Sequence, residues 1–426
     1  MFATVKQIFY PKNKDIQKRI LFTFLALFIF KLGTTIIVPG IDKDSLGTSA
    51  LGFLELINIM GGGAMERFSI FALGVSPYIT ASIIMQFLEK DIIPYFSELA
   101  KQGHTGRAKL NQYTRIFGIF LAFVQGFVLS FSFINNGTVL QYMEYSVVLT
   151  AGTAFLLWLG DQITAKGVGN GISILIMAGI LSSLPTMFAT AFSSLVDISS
   201  VQTIFIGSIS FLLFVLIYVT IILGIIYVQS AERRIPIQYA NKSTSALGRQ
   251  NYIPFRLNTS GVMPVILAST LISVIALIVS VFKNEAASLF FNKWIMYTTP
   301  TGLVIYALLI FAFAYFYTFI QINPTEMAEN LQKSGGYIPG IRPGEETAKY
   351  VTKVLKRITV VGTFFLTLIA VIPILFGMFS NLPTSVTIGG TGLIIVVGVA
   401  LEIYKQIESI LLSRSYKKGR KRAWKV

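Results

Sequence analysis

Ten long apolar stretches divide the chain, and the segments between them alternate between rich and poor in lysine and arginine. Most stretches are long enough to cross a hydrocarbon layer of roughly 30 Å as a helix. Alternate segments hold 30 Lys and Arg residues and the others four, with Lys31 alone inside a stretch. Because basic residues stay on the cytoplasmic side, this pattern predicts a multi-pass membrane protein with both termini in the cytoplasm. The stretches cover residues 20–38, 71–88, 116–134, 146–159, 172–192, 204–227, 262–282, 302–322, 358–379 and 386–403.

The composition favours a bilayer over water as the surrounding solvent. Hydrophobic residues make up 54% of the chain and charged residues 13%, so a soluble domain could not hide its apolar surface. The net charge of +16 follows mostly from the topology, although a basic cytoplasmic face also suits anionic lipid, an acidic protein or ribosomal RNA. The absence of cysteine excludes disulfides, thiolate metal sites and cysteine nucleophiles.

The predicted spans carry few groups that could perform chemistry. Lys31 is either a buried functional cation or a side chain that reaches the outer interface, and the second interpretation is favoured. His104, the one histidine, lies in a basic loop and makes no metal site by itself. We therefore expect that the protein is not an enzyme and that it binds no metal or cofactor. An ion-coupled secondary transporter is the alternative function, but it should have mid-membrane carboxylates and has no use for large basic loops.

Two glycine clusters allow more than one interpretation. Residues 167–171 resemble half of a dinucleotide fingerprint, but they lie between two apolar stretches without a preceding strand, so a turn with a helix cap is favoured. Gly61, Gly62 and Gly63 follow a semi-apolar run at residues 53–60 that is too short to span. From spacing alone, a short helix that re-enters the membrane and an ordinary external loop fit equally well.

Two predicted cytoplasmic loops, residues 228–261 and 323–357, are far longer than a minimal helical bundle needs. Both are polar and basic. Proline and glycine flank Arg342 on both sides, which predicts a stiff turn with an exposed side chain. The loops are either solvated connections or a docking surface for a partner.

Short motifs in order along nearly the whole chain resemble the SecY/Sec61 alpha family of protein-conducting channel subunits. They are Ser69 to Gly74 with Pro77 to Ile79, Gly106 to Arg115, Trp158 to Thr164, Gly169 to Ser173, Arg233 to Pro236, Asn323 and Pro324, Lys333 to Gly344, and Gly389 to Thr391.

The resemblance implies an all-α membrane fold of ten transmembrane helices in two inverted five-helix halves, residues 1–200 and 201–426. It implies a re-entrant plug helix near residues 53–66. For the run before Gly61, the resemblance therefore favours a short helix that re-enters the membrane over an external loop. Its plug and hinge residues are Leu56, Ile57, Ile59, Gly61, Gly62 and Gly63. The implied pore ring consists of Val75, Ile79, Ile176, Ile266 and Ile395.

The same resemblance implies a channel in the bacterial cytoplasmic membrane that passes unfolded secretory polypeptides across and releases membrane-protein helices sideways. Its lateral gate would include Thr80, Ile83, Gln125 and Asn258, whose polar members match a hydrogen-bonded polar cluster of the family gate. Contacts to the SecA motor or the translating ribosome, including ribosomal RNA, would come from Arg233, Arg234, Arg249, Arg256, Lys333 and Arg342. The other implied partners are SecE and SecG subunits, signal sequences, nascent polypeptides and membrane lipids. The basic tail at residues 417–422 is attributed to topology.

Overall fold

The structure is a computed structural model, and it describes residues 14–41, 58–89, 93–134, 137–196, 201–239, 251–282, 285–296, 299–380 and 382–423. The helices are α1 Lys14–Gly33, α2 Ser76–Leu88, α3 Pro94–Lys101, α4 His104–Phe133, α5 Val139–Lys166, α6 Gly171–Leu195, α7 Val201–Ser230, α8 Met263–Phe282, α9 Glu285–Trp294, α10 Pro300–Gln321, α11 Pro324–Lys333, α12 Glu345–Phe379 and α13 Thr384–Ala423. The strands are β1 Glu232–Tyr239, β2 Asn251–Arg256 and β3 Gly336–Tyr337.

Each predicted span lies mostly or wholly within one helix, namely α1, α2, α4 to α8, α10, α12 or α13. Within the described ranges, six helices are long and apolar enough to cross a membrane, and α8 contributes a shorter apolar run. The large apolar side chains that point outward, such as Phe205, Leu212 and Leu216 on α7, are costly in water but not in lipid. The multi-pass membrane architecture is thereby confirmed.

The turn between α5 and α6 confirms that residues 167–171 form a turn with a helix cap. Gly169 has a φ of 83°, a conformation that glycine adopts at no steric cost. The Asn170 side chain then accepts a hydrogen bond from the Ile172 amide at 3.1 Å and caps α6. No nucleotide site is needed to explain these residues.

One main hydrophobic core joins the helices. Its buried side chains come from α1, α2, α5 to α10, α12 and α13. Along the chain, α4 packs on α2 and α5, α8 packs on α10, and α13 packs on both α6 and α12. The core is therefore shared between four early helices, α1, α2, α5 and α6, and the later ones.

The all-helical prediction omitted a small sheet that the two long loops build together. The three antiparallel strands have the order β2-β1-β3. In the register, Glu232 pairs with Arg256 and Gln238 pairs with Tyr337. The inward side of this sheet buries a separate apolar cluster with α11 and the start of α12: Ile235, Ile237, Phe255, Leu331, Ile338, Val351, Val354, Leu355 and Ile358. We call the three strands, α11 and residues 338–358 the sheet platform.

Candidate functional site

Five branched apolar side chains from different parts of the chain are buried together in the main core. They are the implied ring residues Val75, Ile79, Ile176, Ile266 and Ile395, each 4–6% exposed. Val75 caps the start of α2, and the other four lie on α2, α6, α8 and α13. Helices distant in sequence thus bring these five side chains into one core, and none of them offers a polar partner to water or to an ion.

A glycine turn at residues 58–63 contributes to the same core. Residues 58–60 are helical, and the Gly62 and Gly63 amides donate back to the carbonyls of Ile59 and Asn58 at 3.1 and 2.9 Å. Gly62 and Gly63 have φ angles of 73° and 79°, so a side chain at either position would strain the backbone. Ile59 and Met60 are buried in the same core as the five branched residues. Gly61 is also buried, whereas Leu56 and Ile57 lie outside the described residues.

The glycine turn rests directly on the backbone of α6. A Cβ atom on Gly179 would lie 1.9 Å from the Met60 carbonyl oxygen, and one on Gly62 would lie 3.3 Å from the Gly179 Cα. These two backbones approach so closely that Gly179 tolerates no side chain without movement of the turn. Gly179 could not be predicted as a contact of the turn, because a glycine in an apolar helix carries no signal of its tertiary partner.

A polar cavity of about 230 Å³ lies beside the glycine turn. The Lys31 ammonium group donates to the hydroxyl of Ser182 on α6. Across the cavity, the Asn58 amide donates to the Glu66 carboxylate at 2.9 Å, and the Glu66 backbone amide donates to the Asn58 oxygen at 3.3 Å. Hydrogen bonds therefore hold the start of the turn to the segment that follows it, and Lys31 is satisfied by a hydroxyl within the protein.

Among the implied gate residues, Thr80 and Ile83 lie on α2, Gln125 lies on α4 and Asn258 lies in the turn before α8. Helix α8 packs against both α2 and α4. Ile83 packs against the main core, and Gln125 is half-buried. Thr80 donates to the Ser76 carbonyl at 3.2 Å. Asn258 donates to the Gly261 carbonyl at 2.8 Å. No hydrogen bond in the described part of the chain joins Thr80, Gln125 and Asn258, so the polar cluster that the resemblance implies is not bonded here.

An aromatic pair joins α2 to α10, the helix that packs beside α8. The rings of Phe87 on α2 and Phe316 on α10 are stacked, with centroids 4.6 Å apart and planes inclined by 19°. Such a pair contributes about 0.5–1.5 kcal/mol beyond its area burial. This contact was not predicted, since nothing in the sequence relates two phenylalanines in separate apolar stretches.

The sheet platform displays basic side chains toward solvent. Arg233, Arg234 and Arg256 are exposed on β1 and β2. Arg234 donates to Glu232 at 2.8 Å and stacks over the Tyr252 ring, 4.7 Å from its centroid. Arg249 lies outside the described residues. A planar guanidinium held on an aromatic face is oriented for a carboxylate or a phosphate.

A small cavity of about 100 Å³ separates β2 and the start of α8 from α13, and Arg256, Asn258, Glu402 and Lys405 line it. Burial, followed by the charge of Arg256, lowers the pKa of Lys405 below its ordinary value. The cavity thus brings two basic side chains together with the Glu402 carboxylate.

Arg342 lies in an exposed turn of the sheet platform. Gly340 and Gly344 have φ angles of 82° and 99° on either side of it. The Thr347 hydroxyl donates to the Arg342 carbonyl at 2.9 Å and fixes the turn to the first residues of α12. The guanidinium lies beside an open groove that Ile341, Tyr350, Lys349 and Lys353 also line. Lys333, at the end of α11, is exposed and pairs with Glu329 at 3.5 Å.

Comparisons with known proteins agree on one family. A sequence model of SecY matches residues 69–404. The chain is 46% and 45% identical to the protein translocase subunits SecY of Halalkalibacterium halodurans and Bacillus subtilis, over 98% of this chain and 99% of each relative. Its fold is similar to that of a protein conducting channel, with a TM-score of 0.68 at 18% identity and 92% of both chains covered.

A second solved structure with a similar fold is Sec61 in the canine ribosome-channel complex from the endoplasmic reticulum. Its TM-score is 0.64 at 17% identity, and 92% of both chains is covered. The helical membrane fold expected from the sequence is confirmed by these matches. They give no support to the ion-coupled transporter considered as the alternative.

Proposed function

The chain belongs to the SecY family, and from this premise we propose that it is the pore-forming subunit of a protein-conducting channel. It passes unfolded secretory polypeptides across the bacterial cytoplasmic membrane and releases hydrophobic helices sideways into the lipid. The observation that carries the proposal is the burial of Val75, Ile79, Ile176, Ile266 and Ile395 together with the Ile59 and Met60 side chains of the glycine turn.

The five branched residues act as a narrow collar. Their side chains offer no hydrogen bond to a hydrated ion, so a constriction lined by them expels water and resists leakage. Dispersion contacts are not directional. The same collar therefore closes around an extended polypeptide of any sequence, which a polar constriction could not do.

Residues 53–66 act as the plug, with the glycine turn as its hinge. At rest, Ile59 and Met60 are buried in the same core as the collar residues, and the turn rests on Gly179. A polypeptide in transit displaces the plug, and the glycines allow the backbone to change direction without steric cost. The two halves, residues 1–200 and 201–426, separate along the boundary of α2 and α4 with α8 and α10.

A gate at this boundary needs only a small closing energy. The Phe87–Phe316 stack supplies about 0.5–1.5 kcal/mol beyond its area burial. Thr80, Ile83, Gln125 and Asn258 complete the gate without hydrogen bonds between its polar members among the residues that the structure describes. A signal sequence that inserts between the helices buries apolar surface of its own and shifts the population toward the open state.

Directed movement needs a partner, because the sequence has no phosphate-binding lysine loop. The sheet platform is the docking surface for that partner, either the SecA motor or the translating ribosome. Arg233, Arg234, Arg249, Arg256, Lys333 and Arg342 meet acidic protein surface or ribosomal RNA, since arginine binds carboxylate and phosphate bidentately. SecE and SecG accompany the chain in the membrane. Both termini face the cytoplasm, as the distribution of basic residues indicates.

The collar assignment is tested by ion conductance. In the triple variant I79S/I176S/I266S, three hydroxyls should hold water in the constriction, and vesicles containing the variant should leak ions at rest. The matched control is I206S/I209S/I278S, which places the same substitutions at lipid-facing positions that are 51–64% exposed. Equal resting conductance of the two triple variants would show that the buried isoleucines do not line the constriction.

A further inference from the structure

A short helix, α9, lies at the end of the bundle opposite the sheet platform, between α8 and α10. Phe291 on its inner face is 2% exposed and belongs to the main core. The Thr301 hydroxyl donates to the Lys293 carbonyl at 3.2 Å. A Cβ atom on Gly302 would lie 2.0 Å from the Met296 carbonyl oxygen. The helix is therefore fastened to the start of α10 and is not a loose connection.

The outer face of α9 is apolar but uncovered. Leu289, Phe290 and Trp294 are 69%, 59% and 46% exposed, and the Lys293 ammonium group lies 6.0 Å from the centre of the Trp294 ring. At 100° per residue, these four side chains share one arc of the helix, whereas exposed Asn292 lies on the other flank. Ten residues are too few to span a bilayer.

The parts of α8 and α10 that adjoin α9 along the chain also expose large apolar side chains. On α10, Val304 and Leu308 are 59% and 63% exposed, beginning one turn from the helix start, and on α8 Ile278 is 52% exposed. These side chains face hydrocarbon in a membrane-spanning helix. A helix at their end with tryptophan and lysine beside large apolar residues has the composition of an interfacial element, since both side chains combine an apolar body with a polar end.

We propose that α9 is an interfacial helix whose Leu289, Phe290 and Trp294 side chains lie at the boundary between headgroups and acyl chains, in the leaflet opposite the sheet platform. Its ligand is the lipid surface itself, and Lys293 extends toward the headgroups. Because α9 joins α8 to α10, the outer ends of both helices are tethered to that leaflet.

The test uses the intrinsic tryptophans, of which the chain has three. A W158F/W424F chain keeps Trp294 as the only tryptophan, and the control W158F/W424F/W294F/N292W moves it to the polar flank of the same helix. Each full chain, with its copurifying membrane partners, is placed in vesicles of phosphatidylcholine and phosphatidylglycerol. The lipids carry bromine either near the headgroup end or near the bilayer centre.

Trp294 should be quenched several-fold more strongly by the shallow bromines than by the deep ones, and only weakly by aqueous iodide. The tryptophan of the N292W control should instead be quenched more strongly by aqueous iodide than by the lipid bromines. Equal responses at the two positions would overturn the proposal. Protection of Trp294 from both quenchers would overturn it as well, because a protein partner would then cover this face.

Discussion

Replacing Gly179 with alanine should displace the glycine turn and make the resting channel leak ions. The new Cβ atom would lie 1.9 Å from the Met60 carbonyl oxygen. Because ordinary van der Waals separations are roughly 3.5 Å, the turn must retreat by about 1.6 Å. The obstacle is backbone on both sides, so no rotamer change of a side chain can relieve the overlap.

The size of the effect follows from two limits. Overpacking of a tight interior contact costs about 1–3 kcal/mol. Burial of large side chains such as Ile59 and Met60 contributes about 1.5–3 kcal/mol each, so the substitution removes a substantial part of what holds the turn. A loss of about 1–3 kcal/mol changes an equilibrium by about 5- to 150-fold. We expect the fraction of displaced plug, and with it the resting conductance, to rise within that range.

The assay is the conductance of single channels or vesicles without a translocating polypeptide. Gly224→Ala on α7 is the matched control, since its Cβ atom would only approach Ile369 at 3.9 Å. Replacing glycine with alanine raises helix propensity by about 1 kcal/mol in both variants. A difference between the two variants therefore reports the steric overlap and not a general change in helix stability. The reasoning is refuted if G179A is inserted in normal amounts and conducts no more than G224A.

Two further perturbations address the gate and the docking surface. The chain contains no cysteine, and the ring centroids of Phe87 and Phe316 lie 4.6 Å apart. Cysteines introduced at these two positions should be joined by a short thiol crosslinker. The crosslinked channel should neither export a preprotein nor insert a signal helix. Full export after complete crosslinking would exclude this boundary as the gate, and the F316C single variant controls for the reagent. Arg342→Glu should reduce SecA-driven transport severely while insertion stays normal, because the exposed turn contributes little to stability. Lower salt should strengthen SecA binding of the unsubstituted chain and fail to rescue the variant, whereas equal transport rates would make this turn an ordinary solvated one.

The membrane segments could be predicted because their signal is local. Length, apolar composition and the alternation of basic residues all act within one segment and its flanks, and the helices follow these stretches closely. The sheet platform could not be predicted in the same way. Ile235 and Ile237 alternate with polar residues as a strand would, but Pro236 argues against a central strand. Their apolar partners on α11 and α12 lie about a hundred residues further along the chain.

Asn258 shows how a local interaction can prevent a predicted one. The family resemblance suggests a polar cluster between helices, yet the Asn258 amide bonds three residues onward to Gly261, and the Ser260 hydroxyl donates to the Asn258 oxygen at 3.2 Å. Asparagine commonly satisfies nearby backbone groups in this manner. Side-chain identity alone could not decide between the two partners.

The close fit between the sheet platform and the helices makes this part of the molecule mechanically stiff. The Leu257 amide donates to the Ala231 carbonyl at 2.9 Å, and a Cβ atom on Gly362 of α12 would lie 2.1 Å from the Leu257 carbonyl oxygen. The peptide that leads from β2 into α8 is thus wedged between the end of α7 and the side of α12. A load applied to the strands reaches α8 within a few residues and without a compliant loop to absorb it. If the platform is the docking surface proposed above, a partner bound there pushes on α8, one of the proposed gate helices, while it remains outside the membrane.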